Sequence, residues 1–220
     1  VYDGGEPVLD LATGTVGPDG PETTPDHRHV LFSCTKPYAG VCLHRLVERG
    51  ALDYDDPVRD HWPEFAAAGT EKAEATVRHV LSHQAGLPYG PLDREPERWT
   101  DWDEAVAAME DLDTRFRPGT TAAYHALNYG FLVGELVRRA SGQAIDDYAR
   151  EHVFEPLGMT DTSIGLGDDP DDAATLAGFE PGERCRDAGV GLDGREGEAA
   201  DLFNRESIRR AVVPAATGIG

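Results

Sequence analysis

Apolar residues recur at helical spacing along much of this chain. From Ser33 to Arg49, the residues Val41, Leu43, Leu46 and Val47 keep that spacing and Gly50 follows as a stop. Pro37 falls in the first turn of this helix, where backbone N–H groups have no intrahelical partner. Asn128–Ala140 reads as amphipathic, with Tyr129, Leu132, Val133 and Leu136 on one face, and it ends at Gly142. A further helix is predicted over Ala144–Val153, stopped by Pro156 and Gly158. Shorter helices are predicted over Thr76–Ser82, with Thr76 near the cap, and over Asp101–Met109. Strand signals are sparse. Val8, Leu9 and Leu11, broken by Gly4-Gly5 and Gly14, predict an edge hairpin within Val1–Gly14. His29–Phe32 reads as a short extended lead-in to the first helix, and Pro118-Gly119 as a turn just before Tyr124. From 165 to about 205 the chain is mostly Gly- and Asp-rich without periodicity, which predicts a long solvated or poorly ordered loop.

Composition narrows the classes of function. A chain of 220 residues holds one sizeable domain. No run approaches the roughly 18 apolar residues of a membrane span, and no signal-peptide pattern precedes the first helix. The net charge of −21 argues against nucleic acid and against an anionic membrane surface as partners. Only Lys36 and Lys72 are lysines; every other basic side chain is arginine. Abundant Asp and Glu with few lysines resemble the proteins of extreme halophiles, whose self-repelling surfaces stay hydrated at high salt; an ordinary acidic cytosolic protein is the alternative. Cys34, Cys42 and Cys185 form neither an even framework nor a metal spacing, so reduced thiols in a cytoplasmic protein are expected.

The chemistry begins at Ser33-Cys34-Thr35-Lys36. A spacing of three on a helix brings Ser33 and Lys36 together on one face. A buried ammonium at the positive end of a helix dipole is disfavoured against the neutral amine, which can accept a serine proton. Read alone, the same pair is also a capping serine with a solvated lysine one turn on. Tyr124 follows the Pro-Gly turn and precedes an apolar helix. A phenol near a lysine can shuttle protons, although a half-buried aromatic with a wet hydroxyl has the same pattern. His83 is open to a Ser–His pairing or to a structural role on the backbone. Cys34 stands beside the serine but has no base at helical spacing. His27 and His29 lack a third metal ligand, and the Asp168–Asp172 cluster lacks an EF-hand pattern.

Taken in order, these segments resemble the serine β-lactamase and penicillin-binding protein superfamily, and within it the class C β-lactamase-like esterases. The resemblance is carried by Phe32-Ser33-Cys34-Thr35-Lys36, Leu46–Asp53, Trp62-Pro63-Glu64-Phe65, Thr76–Pro88, Tyr124-His125-Ala126-Leu127, Gly134–Arg139 and Pro156–Met159, with a weaker echo at Val213–Gly218. It implies an α+β fold, with a helix-rich subdomain beside part of an antiparallel sheet. It implies Ser33 as an acylated nucleophile, Lys36 as its proton partner, and Tyr124 as general base. His83, Gln84 and His125 are then expected on the substrate side. The substrate is a small ester or amide, less readily a D-amino-acid peptide or β-lactam, and no metal or cofactor is called for. Two departures stand out. Ala126 replaces the asparagine of the family's Tyr-x-Asn motif, which favours ester chemistry. The third motif, Lys-Thr-Gly or His-x-Gly, is absent, so a shortened chain of impaired activity, or an inactive homologue, is the competing expectation. A plain acidic helical domain, with Lys36 and Tyr124 far from Ser33, is a third.

Overall fold

The structure, a computed structural model, describes residues 1–16, 20–67, 69–166 and 201–220. Its main helices are α1 (Thr35–Glu48), α2 (Val58–His61), α3 (Val77–Leu81), α4 (Trp102–Glu110), α5 (Asn128–Ser141), α6 (Ile145–Ala149) and α7 (Glu206–Arg210). Their ends obey local chemistry. The Thr76 hydroxyl accepts the His79 N–H at 3.3 Å to open α3, and the Asp101 carboxylate accepts the Glu104 N–H at 3.0 Å to open α4. Gly142 closes α5 at a φ of 77°, a left-handed turn that suits glycine.

Helix α5 is the centre of the molecule. It packs against α1, α2, α3, α4 and α6. Every residue from Asn128 to Val137 is therefore buried, where the hydropathy pattern predicts an exposed face. Ala39, Cys42, Leu43 and Leu46 of α1 join Phe131, Leu132, Val133 and Leu136 of α5 in one core. The segment Val213–Thr217 crosses α5 at Gly130. A Cβ there would stand 2.5 Å from the Ala215 nitrogen, so the crossing needs glycine.

The helix expected over Ala144–Val153 is regular only to Ala149. It widens into a π turn over Arg150–Phe154 and tightens into a 3-10 turn over Glu155–Leu157, where Pro156 cannot continue the ladder. The hairpin is also shorter than expected. Strands β1 (Tyr2–Asp3) and β2 (Glu6–Pro7) pair antiparallel with Tyr2 opposite Pro7, and Val8, Leu9 and Leu11 beyond them are exposed.

The sheet beside α1 joins distant parts of the chain. Strand β3 (Ser163–Ile164) pairs antiparallel with β4 (Gly218–Ile219), Ser163 opposite Ile219. The lead-in to α1 takes the other edge of β4: the His29 N–H donates to the Gly220 carbonyl at 2.9 Å and the Leu31 N–H to that of Gly218 at 2.8 Å. Of the expected loop over 165–205, residues 167–200 lie outside the described residues, and so do Cys185 and the Asp168–Asp172 cluster. Residues 201–204 are helical, not loop, because Leu202 and Phe203 find apolar neighbours; the Phe203 ring meets Phe32 edge-on at 4.7 Å. Among the described residues no helix is long and apolar enough to cross a membrane.

Candidate active site

Ser33 lies in a 3-10 turn, Phe32–Cys34, that leads into α1. The regular helix thus begins at Thr35, two residues later than the sequence predicts. The cause is Phe32, whose φ of 47° puts a non-glycine residue in the left-handed region. The buried Thr35 hydroxyl holds this turn by donating to the Phe32 carbonyl at 2.5 Å, while accepting the Gly218 N–H at 2.9 Å. Ser33 itself is exposed.

Three side chains converge on one oxygen. The Lys36 ammonium, 6% exposed, donates to Ser33 Oγ at 3.0 Å and to the Ala215 carbonyl, 179 residues away, at 3.1 Å. The Tyr124 hydroxyl donates to Ser33 Oγ at 2.7 Å. Lys36 Nζ also lies 4.9 Å from the centre of the Tyr124 ring. Partial burial works to raise the phenol's pKa, but hydrogen bonding with Lys36 and Ser33, and the lysine's charge, outweigh it and bring the phenol below its ordinary value. A serine hydroxyl held between a cation and an acidified phenol can lose its proton to the phenolate. The placement of Lys36 and Tyr124 rules out the plain-helical-domain alternative, which needs them far from Ser33.

Of the other expected site residues, His83 packs against Tyr124. His125 is 1% exposed, and both ring nitrogens are engaged: Nε2 accepts the Leu87 N–H at 3.0 Å and Nδ1 donates to the Ala123 carbonyl. Burial, above all, pushes its pKa down to about 4. It ties the chain behind Tyr124 to the Leu87 loop. Gln84 is half-buried, and its backbone bonds to His79 and Gly119; its carboxamide has no hydrogen-bond partner among the described residues. The His83 ring packs against three others, with its centre 5.0 Å from that of Tyr124, 4.8 Å from that of Tyr129 and 5.6 Å from that of His125. Cys34 is exposed next to Ser33, and His27 Nδ1 turns back to accept the Thr24 N–H at 3.0 Å. The Ala215 carbonyl and Thr35 were not singled out by sequence reasoning. Thr35 lies inside the Ser33-x-x-Lys36 spacing and Ala215 inside the weaker echo at Val213–Gly218, but no role attaches to either from those motifs. A concavity of about 350 Å³ bounded by Asp146, Arg150, Ser163 and Arg210 contains none of these residues. Convergence on Ser33, not cavity size, marks the site.

A serine, a lysine one turn on and a tyrosine from a distant segment, set where a small antiparallel sheet meets the central helices, have the plan of the Ser-x-x-Lys proteins. The chain belongs to the Beta-lactamase family, whose pattern matches residues 1–219. Esterase/beta-lactamase LipL of Mycobacterium tuberculosis is 37% identical over 182 residues, covering 80% of this chain and 40% of the relative. Esterase EstB of Burkholderia gladioli is 33% identical over 147 residues, covering 60% of this chain and 37% of the relative. A family VIII carboxylesterase superposes with a TM-score of 0.77 at 34% identity, over 90% of this chain and 53% of that one. A penicillin-binding protein homologue from Caulobacter crescentus gives 0.72 at 34% identity, over 94% and 56%. The chain therefore spans about half, or less, of the length of the proteins it matches.

Proposed function

We propose that this chain carries the nucleophile half of a serine hydrolase of β-lactamase-like esterase type, which cleaves small esters or amides through an acyl-serine. The observation that carries this reading is the convergence on Ser33 Oγ of Tyr124 at 2.7 Å and Lys36 at 3.0 Å. Once the Tyr124 phenol has released its own proton to solvent, Ser33 Oγ bonds the substrate's carbonyl carbon while the serine proton passes to the Tyr124 phenolate, which Lys36 stabilises. The carbonyl oxygen becomes an oxyanion beside the Ser33 N–H, in the turn that leads into α1. Collapse expels the alcohol or amine, which takes the proton from Tyr124. Water then attacks the acyl carbon and gives its proton to Tyr124, which returns it to the departing Ser33 oxygen. Ala126, where the resembled motif carries asparagine, and the esterase names of the relatives support ester over β-lactam substrates. The unpaired Cys34 and Cys42 support a reducing, cytoplasmic setting.

A fluorophosphonate probe followed by mass spectrometry tests the reading. The expected adduct maps to Ser33 and disappears in Ser33→Ala. Tyr124→Phe slows labelling by about 10²- to 10⁴-fold, the range for losing a general base. Folded protein in molar salt that gives neither an adduct nor nitrophenyl ester turnover would sink the hydrolase reading and leave an inactive homologue. An adduct with labelled penicillin, but none with the ester probe, would move the assignment to a penicillin-binding protein.

A further inference from the structure

His83, expected on the substrate side, also bonds the segment that carries Tyr124. Two non-glycine residues among those described have positive φ, Phe32 at 47° and His83 at 60°. Phe32 precedes the serine. His83 holds the tyrosine, by two backbone bonds that flank it: its carbonyl accepts the Ala123 N–H at 3.1 Å, and its ring Nδ1 accepts the His125 N–H at 3.1 Å. The left-handed backbone of His83 is what lets one residue offer both its carbonyl and its side chain to the same short segment. Its ring also packs against the Tyr124 ring. With Nδ1 as acceptor, the ring proton resides on Nε2.

We propose that His83 is the positioning residue for Tyr124, and that it works only as the neutral imidazole. The inference rests on the hydrolase reading for the role of Tyr124, not for the geometry. A protonated ring has no acceptor for the His125 N–H, and it would add a second positive charge near Lys36. The groups facing His83 are Lys36 from α1, Tyr124 and His125 from the segment ahead of α5, and Tyr129 from α5. None is a carboxylate, so none of these facing groups compensates an imidazolium. Burial, first, and the charge of Lys36, second, also hold its pKa below the ordinary imidazole value.

Asparagine makes the decisive comparison, since it tolerates left-handed φ and its Oδ1 can stand in for Nδ1 without titrating. The readout is the pH titration of the Tyr124 phenol by ¹³Cζ-tyrosine NMR, which needs no catalysis. In the wild-type chain and in His83→Asn the phenol should titrate below the ordinary tyrosine range; in His83→Ala it should move back up. The wild-type Tyr124 signal should also show an acid inflection that His83→Asn lacks. Labelling of Ser33 should fall about 10- to 100-fold in His83→Ala and stay within about threefold in His83→Asn, as expected when a catalytic group is misplaced and then restored. A Tyr124 titration identical in all three proteins overturns the proposal, as does an acid inflection that persists in His83→Asn. If His83→Ala does not fold, that inflection decides alone. If the wild type never labels yet its phenol titration follows this pattern, the hydrolase reading fails and the positioning role stands.

Discussion

Thr35 shows how much of the site depends on a side chain that touches no reactant. Its hydroxyl bridges the Phe32 carbonyl and the Gly218 N–H, and it is fully buried. Thr35→Val keeps the shape but removes the bridge and takes the acceptor from the buried Gly218 N–H, so a loss of about 2 kcal/mol in urea unfolding is expected, whereas Thr35→Ser should cost less than about 1 kcal/mol. Equal midpoints for the two variants would show that the bridge contributes nothing. At this scale the sequence was readable where chemistry repeats over a few residues. Ser33 and Lys36 are neighbours by helical spacing alone. Tyr124 is tied to Ser33 only through the family resemblance and not by spacing, since its bond to Ser33 spans 91 positions. The burial of His125 had no such signal, because it lies in an irregular segment with no period to say which way a ring faces.

At the scale of elements, the helix starts and stops were legible for the same reason: Thr76, Asp101 and Gly142 act on backbone groups within one turn. The sheet was not, since β4 lies between the lead-in near residue 30 and β3 near residue 163 and no local signal encodes that pairing. Nor was the burial of α5 legible, as its covered face includes Glu135. That carboxylate is 0% exposed and accepts hydrogen bonds from Arg138 and Arg139, each at 2.7 Å, and from the Trp102 indole at 2.9 Å. Arg139 continues to Glu64 at 2.7 Å, which ties α5 to the turn after α2. Burial works to raise the Glu135 pKa, but the two arginines and the indole outweigh it and leave the pKa lowered. A folded pKa below the unfolded one means the stabilisation is present above the ordinary glutamate value and fades as pH falls through the lowered one. Glu135→Gln should therefore lose about 3 kcal/mol at neutral pH and show a flatter acid limb in a stability–pH profile. A wild-type profile that falls no more steeply than the variant's would show that the network does not couple to folding.

Across the whole molecule, the scarcity of lysine acquires a physical meaning. Both lysines are buried and both spend their protons on backbone carbonyls: Lys36 on Ala215, and Lys72, 7% exposed, on Met109 at 2.6 Å and Glu110 at 2.7 Å, where it caps the end of α4. The cations paired on the surface are arginines, as in Arg78 with Asp55, Arg117 with Glu74 and Arg150 with Asp147. Such exposed pairs each contribute little, and they leave a net charge of −21 over 220 residues. Self-repulsion of that size opposes the compact state, and the Debye length shrinks from about 10 Å at 0.1 M salt to about 3 Å at 1 M, so added salt relieves it. Raising KCl from 0.1 to 2 M should lift the melting temperature by roughly 10 °C, which for a domain of this size corresponds to a few kcal/mol. Screening and hydrophobic salting-out both predict a rise, so the two are separated by the anion: KCl and a matched ionic strength of potassium sulfate should give similar shifts if screening dominates, while a much larger shift in sulfate assigns the gain to burial. A melting temperature that stays flat in KCl would show that this surface is merely acidic and not adapted to salt.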